Sequence, residues 1–395
     1  MGPKPGGRKA TGVGKLQIQR LDSIDAIRCR AAAWDRLWQR SEVSLPTARA
    51  ELTAQWLEHF ARKASFCVLA VEEDGDLVGV LPLAGRKVRR LLPVADLTGN
   101  YWSFNGELLL DPQADGAAIC DRFAEAVASL PWPLLWIEMI PVERAYWQEM
   151  RAALLRRKLS VDVHARYRIG QVDLRGSFAE YEENLSKNHR RSLRKDLHRL
   201  EGEGPSQFCL KSEFTAEEVP AALAAVFQIE ADSWKAAADG CVLSVAGLQE
   251  FYVRQCRQLA QWGCLRLASL EHGSRPIAFE LGWTAKRIFH SIRVGYDQAY
   301  RSYGPGHLLR RWLIERLFQE GQLEAIDFQG PMTDALAQWS TSSYQVGRLV
   351  AVPSRLSSRA LWLACRALGP VLRRLRGKES GVSCQSSRQG SGTAK

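Results

Sequence analysis

A chain of 395 residues with 46% hydrophobic and 25% charged side chains is long enough for two cores and too evenly mixed for a fibrous or wholly disordered protein. Its net charge of +11 sits at the ends: residues 1–15 contribute +4 and residues 353–395 contribute +8, which leaves −1 for residues 16–352. A near-neutral body argues against a nucleic-acid partner, no run approaches the ~20 apolar residues of a membrane span, and nine cysteines without a CxxC pair read as reduced thiols in a cytoplasmic protein rather than a disulfide framework or zinc site.

Residues 1–15 are rich in Gly, Pro and Lys, have no apolar segment of the kind a secretory leader carries, and are expected to be a basic tail. LQIQRL then reads as a strand, residues 25–41 and 48–63 as helices, and SFCVLAVEEDGDLVGVLPL (65–83) as a hairpin about an acidic glycine turn. Further strand reaches Leu110. A helix near 117–130, the buried strand PLLWIEMI, a helix over 144–158 and a closing strand complete a first domain, expected at 16–175.

Residues 181–204, YEENLSKNHRRSLRKDLHRLEGEG, predict a helix with Leu185, Leu193, Leu197 and Leu200 in one stripe and Lys187, Arg190, Arg191, Arg194, Lys195 and Arg199 around it. Such a helix is either a solvated bridge between the halves or a patch that faces phosphate. After it the order of elements repeats: strand SQFCLKSEF, helices over 216–235 and 248–261, hairpin GCLRLASLEHGSRPIAFEL, strand 287–296, helix 307–319, strand LEAIDFQG, a short helix at 335–339 and strand VGRLVAV. Two halves with one order imply a tandem duplication of an α/β unit with a mixed (α+β) sheet, the second domain spanning 176–352. Residues 353–395 are expected to be a basic amphipathic segment (358–378) and a disordered tail; the segment suits an anionic membrane surface, a dock on the body, or plain solvent.

The stretch RSYGPG, Arg301–Gly306, lies after a strand and before an amphipathic helix. Glycines let the backbone turn its N–H groups toward an anion, proline pre-shapes the loop, and the helix N-terminus adds partial positive charge. The loop is therefore expected to bind a pyrophosphate. At the matching place in the first half stands DPQADGAA, whose Asp111 and Asp115 would repel one, so a single cofactor site per chain is expected.

RSYGPG resembles the R/Q-x-x-G-x-G/A signature of the GNAT superfamily of N-acetyltransferases, and the order of elements resembles that fold in both halves. LSKNHRRSLRKDLHRL, IEADSWK, RPIAFELGW, FHSIRVGYD and YGPGHLL are similar to the CelD-like (BioF-type) acetyltransferase group, whose tandem architecture is shared by the Fem peptidyltransferases. The resemblance covers roughly 181–345 by motif, and the first half by order of elements alone.

It implies two tandem GNAT-like acyl-CoA N-acyltransferase domains, acetyl-CoA as cofactor with no metal, and direct attack of an amine on the thioester in a ternary complex. The cofactor residues would be Val294, Arg301, Ser302, Tyr303, Gly304, Pro305, Gly306 and His307, with an oxyanion donor near Ile292–Val294. Glu280 and His290 are candidate bases, although a salt bridge from Glu280 to Arg293 or Lys286 and a satisfied core imidazole account for them equally well. Asp327 would orient substrate or bond to a neighbouring strand, Tyr344 would return a proton to the thiolate, and Trp234 and Lys235 would border the acceptor or be a core aromatic and a surface lysine. The partner is an amine of a small molecule or envelope precursor, in polysaccharide or cell-envelope biosynthesis, acted on in the cytoplasm or at the inner face of the membrane through the C-terminal basic segment. A Fem-like transfer from aminoacyl-tRNA and a non-catalytic tandem scaffold are the competing readings.

Overall fold

The computed structural model describes residues 15–88, 92–233, 240–273, 275–356, 358–360 and 362–363. Strands β1 (Leu16–Leu21), β2 (Phe66–Glu73), β3 (Asp76–Val88) and β4 (Leu92–Leu97) form an antiparallel run, and β5 (Leu109–Leu110) pairs with β3. Apolar side chains alternate between faces: Val68 and Ala70 of β2 enter one core while Cys67, Leu69 and Val71 enter another. The β2–β3 turn has positive φ at Asp74 (52°) and Gly75 (89°), as a tight two-residue hairpin turn requires.

The helix expected over 25–41 divides at Arg30 into α1 (Ile24–Cys29) and α2 (Ala31–Arg40); with α3 (Ala50–Phe60) these cover one face. Helices α4 (Gly116–Ala128) and α5 (Ala145–Arg156) cover the other, with β6 (Leu135–Pro141) between them and β7 (Ser160–Asp173) following.

The helix expected over 181–204 is likewise two. Ser177 opens α6 (Phe178–Asn184) through a reciprocal capping box with Glu180, and Ser186 caps α7 (Lys187–Glu203) by accepting the His189 N–H at 3.2 Å. The second half continues with β8 (Ser206–Lys211), α8 (Glu218–Ala231), α9 (Leu248–Gln261), β9 (Leu265–His272), β10 (Arg275–Ala285) and β11 (Ile288–Tyr296). Helix α10 (Pro305–Glu320), β12 (Ala325–Asp327), α11 (Asp334–Ala337) and β13 (Ser342–Val352) complete it.

Among the described residues the thirteen strands belong to one sheet, ordered β1-β2-β3-β4-β6-β13-β7-β12-β11-β10-β9-β8, with β5 beside β3. The halves exchange their closing strands. β7, from the first half, pairs with β12 of the second, β13 pairs with β6 of the first, and β7 and β13 pair antiparallel at the centre. The repeated order of elements was legible in the sequence. The exchange was not, because a strand's neighbour in a sheet is set by long-range pairing that no local pattern records.

One face of the sheet joins the halves further. Trp34 and Trp56 of the first half share a core with Phe227, Tyr252, Phe279 and Trp283 of the second. Above it, Arg254 of α9 reaches Glu58 of α3 at 2.5 Å, and Glu58 also receives Arg28. Buried Gln255 of α9 donates to Ser103 Oγ at 3.0 Å. The opposite face of the second half carries α6, α7 and α10 over Phe289, Ile326 and Val172.

Candidate active site

The parallel pairs at the centre of each half are short. β4 meets β6 through Ala95 and Leu135, and β11 meets β12 only over Ile288–His290 and Ala325–Asp327. Beyond those pairs the strands splay, and the middle of the sheet opens into a cleft of about 110 Å³. Its floor includes Gln171 of β7, Tyr344 of β13, His290 of β11 and Asp327 of β12; its roof is the 42–45 loop and part of the 97–107 segment. Both halves build it. Met139 and Gln329, which both line it, hold left-handed backbone (φ 58° and 52°), a conformation non-glycine residues keep only where their surroundings impose it.

Three of the four expected catalytic residues meet here. Asp327 accepts the Gln171 side-chain amide at 2.9 Å, the Gln329 N–H at 3.0 Å and the Tyr344 hydroxyl. Burial raises its pKa, and those donors only partly offset that. Burial, with the neighbouring Asp327 charge, lifts the Tyr344 phenol well above its ordinary value, so it stays protonated. The Arg144 guanidinium lies over the Tyr344 ring, 6.0 Å from its centre. His290 Nδ1 meets the Gln329 amide nitrogen at 3.0 Å, and burial drives the imidazole down to about 3. A neutral imidazole of that kind is a weak base, and its Nε2 is buried without a hydrogen-bond partner at the cleft.

Glu280 corrects an expectation. It points to the opposite face of the sheet, under α10, where it accepts Ser291 Oγ at 2.6 Å and Arg310 at 3.0 Å and is 2% exposed. Its partner is Arg310, neither of the two cations the sequence suggested. Arg293 pairs instead with buried Glu230 at 2.6 Å, and Lys286 donates to the Ser41 carbonyl at 2.6 Å and to that of Trp38.

Sequence reasoning missed Glu107. Its Oε1 accepts the Leu108 N–H and the Trp147 indole N–H, each at 2.9 Å, and the side chain lines the cleft. Burial pushes its carboxyl up to about 7, against the pull of those donors and of Arg144. The signal was present: an acid in FNGELLL is as anomalous as the acid in IAFELGW that drew attention to Glu280. Of the other acids in the cleft, Glu138 is held by Arg348 at 2.7 Å and Asp96 by Arg86 at 2.5 Å. Among the described residues Glu42, Glu107 and Asp327 have no ion-pair partner, and Arg144 is the one cation lining the cleft.

At the far end of β11 stands the glycine loop. Arg301, Ser302 and Tyr303 end a 3-10 turn (Gln298–Tyr303), Gly304 takes φ 59°, and Pro305 opens α10. The Gly304 N–H is spent on the Arg301 carbonyl (3.1 Å) and that of His307 on the Gly304 carbonyl (2.9 Å), leaving the Gly306 N–H uncommitted. Helix α7 crosses this loop. Arg199 donates to the Ser302 carbonyl at 3.0 Å, Tyr303 donates to Glu203 at 3.1 Å, and Asp196 Oδ2 lies 3.1 Å from where a Cβ on Gly304 would stand. Beside it His307 stacks on Trp339 at 6.1 Å, and both His307 Nδ1 and Trp339 Nε1 are buried without a hydrogen-bond partner. Buried nitrogens left open beside a helix N-terminus suit an anionic group, and Asp196 offsets part of that charge.

The register of β10 against β11 passes from Leu281–Arg293 to Gly282–Ser291, which leaves Ile292 unopposed in a one-residue bulge. Val294 follows on the same strand. In the first half, the equivalent helix α4 is capped by the Asp115 carboxylate, which takes the Ala118 N–H at 3.0 Å, and Asp111 pairs with Arg40. Trp234 and Lys235 lie outside the described residues, as do residues 1–14 and most of the 358–378 segment. Among the described residues no group of three His, Cys, Asp or Glu is placed to hold a metal, and no helix is long and apolar enough to cross a membrane.

Residues 187–335 match the profile of the acetyltransferase (GNAT) domain. Among solved structures the chain is similar to FemX (11% identity, 84% of this chain and 96% of that one, TM-score 0.55). It is also similar to the C-terminal domain of a candidate lysylphosphatidylglycerol synthetase from Agrobacterium fabrum (13%, 87% and 96%, TM-score 0.53). A conserved protein of unknown function from Bacteroides thetaiotaomicron aligns at 11% identity over 86% of this chain and all of its own (TM-score 0.52). No curated protein matches the sequence. Mixed α/β architecture in two halves of one element order, the second carrying the GNAT match, is the fold of this chain.

Proposed function

We propose that the protein is an N-acyltransferase that moves an acetyl group from coenzyme A to an amine held in the central cleft. The observation that carries this reading is Glu107, a buried carboxyl titrating near 7 in an acid-rich cleft between the splayed strands of a GNAT-like fold. The surplus of Glu42, Glu107 and Asp327 over Arg144 attracts a cationic amine, and Glu107 takes the proton that the amine must lose before it attacks. Asp327 holds the Tyr344 hydroxyl, which keeps its proton through neutral pH and so suits return of one to a leaving thiolate. His290 and Gln329 wall the acceptor without exchanging protons. Coenzyme A would supply the activated thioester, held by Arg301, Gly304, Gly306 and His307. The CelD-like subgroup, an envelope-precursor acceptor and action at the inner face of the membrane rest on the sequence motifs.

The position of α7 across the loop, with Asp196 against Gly304, favours a second reading in which the acyl donor is not coenzyme A. The sequence motifs make aminoacyl-tRNA the alternative donor, and the fold shared with FemX is compatible with it. Thermal unfolding with and without acetyl-CoA separates the two. Ligand at ~100 times its Kd adds about 2.7 kcal/mol of stability, and the rise disappears in Arg301→Ala and Gly306→Trp. No rise in the wild type at millimolar acetyl-CoA would overturn the coenzyme A reading, and tRNA binding with steep salt dependence would then establish the other.

A further inference from the structure

Helix α7 carries cations that neither the fold nor the cleft uses. Lys187, Arg190, Arg191, Arg194 and Lys195 have no ion-pair partner among the described residues, whereas Arg199, further along the helix, is engaged with the loop. Arg190 and Arg194 stand one turn apart on the rim of a groove of about 270 Å³ between α7 and α10. The Arg190 Nε is buried without a hydrogen-bond partner. Below the two guanidinium groups the walls are Leu193, Leu197 and Leu308, closed by Phe208 and Trp312 stacked at 5.4 Å and 17°. The one acid lining the groove, Glu182, is paired with Arg311 at 2.7 Å.

Each part of that arrangement narrows the occupant. Two guanidinium groups on adjacent turns match the oxygens of a phosphate, which they bind through paired N–H donors. Leucines and an indole beneath them have nothing to bury against a free phosphate ion, so the ligand carries an apolar chain as well. A nucleic acid is disfavoured, because the unpaired cations extend over only about 12 Å of helix and the body around them is close to neutral.

We propose that the groove between α7 and α10 binds an anionic lipid, its phosphate on Arg190 and Arg194 and the start of its chain along Leu193, Leu197, Leu308 and Trp312. This assignment does not depend on the reaction in the cleft. It places a lipid contact on the folded body, separate from the C-terminal segment.

Calorimetric titration of the full chain with dihexanoylphosphatidylglycerol, kept below its micelle concentration at near-physiological salt, tests it. Dihexanoylphosphatidylcholine and glycerol 3-phosphate serve as the comparison ligands. The anionic short-chain lipid is expected to bind about tenfold or more tightly than either, and the Arg190→Gln/Arg194→Gln double variant to lose at least that factor. Leu197→Asn should weaken the lipid and leave glycerol 3-phosphate unchanged. Equal binding of the two lipids would reduce the groove to an apolar slot, and equal binding of glycerol 3-phosphate would make it a phosphate site; either result overturns the proposal. So would full affinity in the double variant, which would assign binding to the basic tails, or displacement of the lipid by single-stranded RNA. The ligand comparisons need no variant, so they decide the matter even if a substitution unsettles the fold.

Discussion

Glu107 and Glu138 are both carboxyls at the cleft, and the fold treats them in opposite ways. Glu138 is held below its ordinary range, against burial, by Arg348 and the Trp136 indole, whereas Glu107 is buried with only neutral donors on it and sits near 7. Between the ordinary 4.5 and about 7 the folded protein keeps a proton on Glu107 that the unfolded chain has released. Its contribution to stability is therefore full below the unfolded value and is lost as pH rises through the folded one, a difference on the order of 3 kcal/mol. Glu107→Gln keeps an acceptor for Leu108 and Trp147 without the charge. Its melting temperature should gain on the wild type as pH rises from about 5 to about 8, while its turnover falls by about 10² or more. Parallel melting curves at every pH would mean the carboxyl is an ordinary one. At this scale the sequence exposed His290, because a polar residue inside an apolar strand stands out, while Asp327 and Tyr344 came from the family resemblance. It could not say which face of a strand a residue occupies, and that alone separates Glu280 from the cleft.

Helix α10 shows how much of one element local chemistry specifies. Pro305 at its first position, Gly304 before it and Gly321 after it, both with positive φ, bound the helix where glycine and proline place its ends in the sequence. Its tertiary anchor is not visible in that pattern. Arg310 leaves α10 for Glu280 of β10, with Ser291 of β11 completing the set. Removing one partner of a buried pair leaves the other charge uncompensated, so Glu280→Ala should cost about 3–5 kcal/mol in denaturant unfolding. Glu280→Gln retains an acceptor for Arg310 and should cost less. Turnover per folded molecule should stay within about twofold in that variant, since Glu280 faces away from the cleft. A stable Glu280→Gln protein with activity reduced a hundredfold would return Glu280 to the chemistry. The break between α6 and α7 has the same lesson. Ser186 is an ordinary cap once the chain turns there, but an unbroken leucine stripe concealed the turn.

The exchange of β7 and β13 makes the molecule one cooperative object even though its sequence reads as two. Cut after residue 175, the first half would keep β7 without its β12 and β13 partners and leave the β6 edge bare. The second half would keep β13 without β6 and β7. Unpaired central edges expose backbone groups and apolar faces together, and each half would also lose its share of the core that joins α3 to α9. Residues 1–175 and 176–395 expressed separately are therefore expected to lack a cooperative thermal transition. Co-expressed, they should assemble into a one-to-one complex that regains both the transition and the cleft, whose walls come from both halves. The measurement is calorimetry on each fragment and on the co-purified pair. A cooperative transition in either fragment alone would mean that β7 or β13 folds back onto its own half, and that the central cleft is an interface between independent domains.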